Sequence, residues 1–137
     1  MEIQNTSKSY HKDRHSVYSC QYHVVFCPKY RRRVLVDGID SRMKELVLEA
    51  ATRYGFSVLD MEVMPDHVHL LLDIPATVAP RDLVARIKGF TAHSLRREFS
   101  QLRSKLPAMW TRAAFISSVG AVSLEVVKRY IDDQKNV

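Results

Sequence analysis

One strand constrains this chain more than any other feature. Residues 64–72 read Met-Pro-Asp-His-Val-His-Leu-Leu-Leu. Side chains alternate along a strand, so His67 and His69 share one face while Val68, Leu70 and Leu72 share the other. The two histidine Cα atoms then stand roughly 6.6 Å apart, two strand rises, and two imidazoles at that spacing can converge on one divalent metal. The opposite face is apolar and suits burial. The strand therefore reads as core on one side and chemistry on the other. Two polar residues on a solvated sheet face would read the same way, so a third ligand is needed to decide.

The chain has 137 residues, which suits one domain with a real core. It carries 21 Lys and Arg against 15 Asp and Glu, a net charge of +6. Such a balance favours a polyanionic partner, most simply nucleic acid. Residues 81–112 hold 8 cations and 2 acids, so this stretch alone equals the charge of the whole chain. Arg86, Lys88, Arg96 and Arg97 lie in it. A second cluster runs Lys29-Tyr30-Arg31-Arg32-Arg33. Tyr30 and Trp110 sit within or beside these clusters, where an aromatic ring can stack on an unpaired base. These ten residues are the candidate DNA contacts. Cys20 and Cys27, seven apart, fit neither a C-x-x-C motif nor a disulfide and are expected as free thiols. With no long apolar run and no signal-peptide core, the expected location is the cytoplasm, in association with the nucleoid.

Residues 1–16 are polar and read as a flexible basic arm, and 17–137 as a single domain. Val17–Cys27 alternates as a strand, and Val34–Val36 suggests a short second one. Asp40 or Ser41 can cap a helix that ends at Gly55. Phe56–Met64 and His67–Ile74 read as strands joined by a Pro65-Asp66 turn. Pro80 opens a helix to about Phe99, in which Gly89 costs about 1 kcal/mol relative to Ala. Gln101–Arg112 reads as a connector, Phe115–Val122 as a last strand, and Ser123 as the cap of a final helix. The order predicts an α+β, ferredoxin-like antiparallel sheet with helices on one face plus one added C-terminal helix.

That last helix offers the missing ligand. Tyr130 and Gln134, four residues apart, share a face that flanks the apolar stripe of Leu124, Val127 and Ile131. The Gln134 amide oxygen is a hard donor suited to Mg²⁺ or Mn²⁺, and two imidazoles tilt the set toward Mn²⁺ or other transition metals. A phenol beside a metal that binds phosphate oxygens can act as a nucleophile on phosphorus. Taken alone, Tyr130 reads more readily as a packing residue and Gln134 as a solvated helix end.

The ordered combination is more specific than any part. Tyr22-His23-Val24-Val25-Phe26 leads to Lys29-Tyr30-Arg31-Arg32. Asp66-His67-Val68-His69-Leu70-Leu71, Ile87-Lys88-Gly89-Phe90, Trp110, Ser118-Val119-Gly120 and Tyr130-Ile131-Asp132-Asp133-Gln134 follow. Over residues 17–134 the chain resembles the single-tyrosine HUH transposases of small insertion sequences. The resemblance implies His67, His69 and Gln134 as ligands of Mg²⁺ or Mn²⁺ and Tyr130 as the catalytic nucleophile. It implies a homodimer whose tyrosine helix can complete the partner's site in trans. The implied substrate is single-stranded DNA with hairpins, cleaved through a 5′-phosphotyrosine intermediate. Leu106-Pro107-Ala108-Met109 replaces glycines often found before the tryptophan. Asp66 is expected to shape the turn or orient a histidine, and His23 to serve structure or DNA contact. The competing readings are a non-catalytic ferredoxin-like module for single-stranded nucleic acid and a domesticated HUH nuclease acting on repeated palindromes.

Overall fold

The computed structural model describes residues 11–12, 17–119 and 124–137. The alternating segment that opens the domain divides in two. Val17–Tyr18 (β2) pairs antiparallel with His11–Lys12 (β1), whereas Gln21–Phe26 (β3) enters the main sheet. The remainder of the expected arm lies outside the described residues.

The main sheet also contains Ser57–Met64 (β4), His67–Asp73 (β5) and Phe115–Ser118 (β6). Its order is β4-β5-β3-β6, with every neighbouring pair antiparallel. Helices Ile39–Tyr54 (α1) and Pro80–Glu98 (α2) connect β3 to β4 and β5 to β6, which is the expected ferredoxin-like pattern. Met64 pairs with His67, so Pro65-Asp66 is a two-residue hairpin turn that sets the register of β5.

The sheet has two different faces. Val24 and Phe26 of β3, with Val68, Leu70 and Leu72 of β5, pack against Met43, Leu46 and Val47 of α1 and Leu83 and Ile87 of α2. Helix Leu124–Asp133 (α4) covers the other face, where Val127 and Ile131 sit on Val25. The alternation read from the sequence therefore holds, and His67 and His69 lie on the face that α4 covers.

Several local expectations change. Val34–Val36 is not a strand: Val34 and Leu35 bury their side chains in the core, and the Leu35 N–H donates to the Pro65 carbonyl. That bond goes to a turn residue, so no strand partner is available. The cap of α1 is Gly38, at φ 92°, rather than Asp40 or Ser41. Asp40 contributes by accepting the Gly38 N–H at 3.2 Å. The connector contains a short helix, Ser100–Lys105 (α3), anchored by buried Leu102. The last strand ends at Ser118, and residues 120–122 and the expected Ser123 cap lie outside the described residues.

Candidate active site

His67 and His69 are both buried on β5. The carboxylate of Asp66 lies 2.9 Å from His67 Nδ1 and accepts its proton, which leaves the lone pair on Nε2. That Nε2 is buried and has no hydrogen-bond partner. The expectation that Asp66 orients a histidine is met by this geometry.

His23 is the residue that the sequence underrated. It is 1% exposed and faces no solvent. Its Nδ1 lies 3.2 Å from His69 Nε2, with the rings stacked at 5.4 Å between centroids. One nitrogen of this pair donates and the other accepts. Pairing register could have revealed it: His23 opposes Leu71, the neighbour of His69 on the same face. Burial, followed by the charge of His23, pushes the His69 imidazole down to about 4. His69 is therefore neutral at physiological pH, the form that binds a metal.

Tyr130 comes to the same face on α4. Its ring lies 5.5 Å from that of Phe115 and packs on the Val25–Val127–Ile131 cluster. Its hydroxyl is buried without a partner, and burial pushes the phenol up to about 12. Gln134 stands just past the end of α4, with its N–H donating to the Ile131 carbonyl at 3.2 Å. Its side-chain oxygen is buried and unpaired. The chain end is tied down rather than frayed: the Val137 carbonyl accepts the Tyr30 N–H at 2.9 Å.

Among the described residues, the buried polar atoms without a hydrogen-bond partner on the α4-covered side include His67 Nε2, Tyr130 Oη and Gln134 Oε1. Such orphans are costly, on the order of 1–3 kcal/mol each, and call for a ligand. Among the described residues no three His, Cys, Asp or Glu side chains are arranged to hold a metal. The Gln134 amide oxygen is a further buried donor without a partner. Two imidazoles and an amide oxygen suit Mn²⁺ or Mg²⁺.

The basic turn before α1 is built into this site. Tyr30 and Arg31 adopt φ of 59° and 51° in succession, left-handed values that strain a residue bearing a side chain. The turn points Tyr30 outward, 42% exposed, with the Lys29 ammonium 5.3 Å from its ring centroid. Arg31 points inward. Its Nε lies 3.4 Å from Asp66, and its Nη1 donates to the Ile131 carbonyl at 3.3 Å and to Asp132 at 3.2 Å. Arg31 therefore connects the residue that orients His67 to the helix that carries Tyr130.

The other candidate DNA contacts divide. Arg32, Arg33 and Arg97 are exposed. Arg86 lies over the Tyr54 ring at 5.6 Å, and Arg96 donates to the Leu106 carbonyl at 2.9 Å. Trp110 is a correction. It is 6% exposed, meets Phe26 edge-on at 4.7 Å and donates its indole N–H to Thr91. It is a core residue and offers no open ring to a base. The small chain following it is instead what Lys88 holds, through the Thr111 and Ala113 carbonyls at 2.6 and 2.9 Å.

Burial lowers the Lys88 ammonium to about 8. A lysine whose folded pKa lies below its unfolded value binds fewer protons when folded, so stability rises with pH between about 8 and 10.5. Lys88→Met is expected to remove that rise, on the order of 2 kcal/mol across the window. Paired urea melts of both chains at pH 7.5 and pH 10 check this.

The family described as "Transposase IS200 like" matches residues 16–134. The chain belongs to the IS200-like transposase family. It is 36% identical over 125 residues to the ISDra2 transposase TnpA of Deinococcus radiodurans, covering 90% of this chain and 89% of that one. It is 25% identical over 126 residues to the transposase for insertion sequence element IS200 of Salmonella typhimurium, with 88% and 83% covered. Among solved structures, a Deinococcus radiodurans R1 protein described as a candidate transposase superposes with a TM-score of 0.87 at 30% identity, covering 93% of this chain and 99% of that one. A REP-associated tyrosine transposase bound to a REP hairpin shares the fold, with a TM-score of 0.57 at 12% identity over 96% of this chain and 69% of that one. In this IS200-like transposase α4 lies on the sheet of its own chain. Among the described residues no helix is long and apolar enough to cross a membrane.

Proposed function

We propose that this transposase cleaves and rejoins single-stranded DNA at hairpin-marked ends, with Tyr130 as nucleophile and a divalent metal held by His67, His69 and Gln134. The observation that carries this reading is the set of orphaned buried atoms, His67 Nε2, Gln134 Oε1 and Tyr130 Oη, on one side of the sheet. When bound, Mg²⁺ or Mn²⁺ makes the scissile phosphorus more electrophilic and offsets the charge that develops on its oxygens. The Tyr130 oxygen forms a bond to phosphorus as the phosphorus–3′-oxygen bond breaks. The phenol loses its proton and the leaving oxygen gains one, giving a 5′-phosphotyrosine and a free 3′-OH. A phenol held near 12 is protonated at neutral pH, so its proton departs only as the new bond forms. The phosphotyrosine ester retains the energy of the broken bond, and a 3′-OH can attack it to reseal the strand.

Hairpin recognition is supported by the hairpin-bound relative of the same fold. Arg32, Arg33 and Arg97, exposed on this chain, are suited to backbone phosphates. The active protein is a homodimer in this reading. The helix that carries Tyr130 either stays on its own sheet or exchanges with that of a second copy.

The deciding experiment incubates the protein with a labelled single-stranded oligonucleotide bearing the hairpin ends of its own element, with Mg²⁺ or Mn²⁺. A metal-dependent covalent adduct on a denaturing gel establishes the activity. Binding to single strands without an adduct on any end sequence supports the non-catalytic module instead. Gln134→Leu is expected to weaken Mn²⁺ binding at least about tenfold by calorimetry, while its melt in chelator stays level or rises because an orphaned oxygen is removed.

A further inference from the structure

His23 and His69 stand on neighbouring strands but not directly opposite one another. In the β3–β5 register Val25 opposes His69 and His23 opposes Leu71, so the two histidines are diagonal neighbours on the face that α4 covers. Diagonal positions across a sheet are about 7–8 Å apart, within reach of long side chains only. Two imidazoles close that gap, with His23 Nδ1 at 3.2 Å from His69 Nε2. The ring planes differ by 18° and the centroids are 5.4 Å apart, so these nitrogens are the facing corners of the two rings.

The contact bears on the tautomer of His69. A neutral imidazole has one N–H and one lone pair. If His23 donated, the His69 lone pair at Nε2 would be consumed and its other nitrogen would carry the proton, leaving nothing for a metal. With His69 donating from Nε2, its other nitrogen keeps the lone pair. His67 follows the same plan, since Asp66 takes the Nδ1 proton and leaves Nε2. Each histidine of β5 then has its own acceptor, a carboxylate from the turn for one and an imidazole from the next strand for the other. His23 is 1% exposed and His69 3%, so bulk water does not replace that acceptor.

We propose that His23 is a positioning residue for metal binding: by accepting the Nε2 proton of His69 it turns that ring and fixes the lone pair the ring offers. His23 is not itself a ligand in this arrangement, because its Nδ1 is spent on His69. Outer partners of this kind set ring orientation and ligand strength at histidine metal sites. The proposal rests on the reading of His69 as a metal ligand, but half of its test is read on the metal-free protein.

Wild type, His23→Leu and His23→Asn are compared by ¹⁵N spectra of the histidine rings, by Mn²⁺ calorimetry, by thermal melting in chelator and by single-strand affinity in chelator. Leucine fills the buried site without an acceptor. The asparagine Oδ1 stands where the histidine Nδ1 stood and can take the same proton. His69 is expected to carry its proton on Nε2 in metal-free wild type and His23→Asn, and to lose that preference in His23→Leu. Mn²⁺ affinity is expected to fall about tenfold or more in His23→Leu and to return to within about threefold of wild type in His23→Asn. Single-strand affinity in chelator should be equal in all three.

A wild type that binds Mn²⁺ while His69 carries its proton on Nδ1 overturns the proposal alone, and this measurement decides even if His23→Leu fails to fold. Unchanged or tighter Mn²⁺ binding in a folded His23→Leu also overturns it, as packing or competition with the metal would predict. Lower melting of both variants with Mn²⁺ affinity retained has the same meaning. A fall in single-strand affinity in chelator makes His23 a DNA contact instead. Absence of Mn²⁺ binding from wild type removes the metal reading, and the proposal with it.

Discussion

Tyr130→Phe is expected to form no covalent DNA adduct and to melt no lower than the parent chain. The two halves of this result have separate physical origins. The phenol oxygen is the proposed nucleophile, and phenylalanine has nothing to put in its place. The ring stays, so its packing on Phe115 and the Val25–Val127–Ile131 cluster is kept. The hydroxyl is buried without a partner, and deleting it removes a desolvation penalty of about 1–3 kcal/mol. The thermal midpoint should therefore stay level or rise by a few degrees. Single-strand affinity should be near that of wild type. An adduct that persists places the nucleophile elsewhere. A marked fall in melting temperature shows that the hydroxyl has a structural partner in solution.

Arg31→Ala is expected to cut the rate of adduct formation about 10–100-fold, the scale of losing a group that positions a metal ligand. Arg31 touches Asp66, which orients His67, and the Ile131 carbonyl and Asp132 side chain at the end of α4. Its guanidinium holds the two halves of the site together. The Asp132 carboxylate is largely exposed, so that ion pair by itself contributes little. The fork geometry matters more, and Arg31→Lys should restore only part of the rate. Amide exchange along α4 should quicken in the variant. A positioning residue leaves DNA affinity nearly unchanged. A plain phosphate contact would instead weaken binding to every sequence and lower the salt slope by about one. Measuring rate at saturating DNA alongside affinity separates the two.

The contrast between Arg31 and its neighbours shows what a sequence can and cannot convey. The run Lys29–Arg33 reads as one basic patch, because composition carries no direction. Two successive left-handed residues turn Arg31 inward and leave Tyr30 outside. Trp110 fails for a related reason. It is embedded in cations along the chain, yet a bridge between Trp110 and Pro28 folds it against Phe26. Both outcomes depend on contacts between residues far apart in the chain, Arg31 with Ile131 and Trp110 with Phe26 and Pro28. Val34–Val36 looked like a strand because three apolar residues fit any buried segment, and only the hydrogen bond to Pro65 distinguishes them. His67, His69 and the alternating apolar residues Val68, Leu70 and Leu72 were legible because a period of two needs no tertiary information. The α4 stripe was legible for the same reason, with Val127 and Ile131 one helical turn apart. His23 was not, since its place beside His69 follows from strand order.

The two-residue turn at Pro65-Asp66 has a genetic consequence. It locks Met64 opposite His67, and β5 then places alternate residues in the core and in the site. Substitutions along 67–73 act on one face at a time. Insertion or deletion of one codon within the strand has no such locality. Every side chain beyond it would cross the sheet, sending a histidine into the packing of Leu46 and Ile87 and a leucine to meet Tyr130. Buried at every position, this stretch should accept only conservative point changes in a mutational library and almost no change in length.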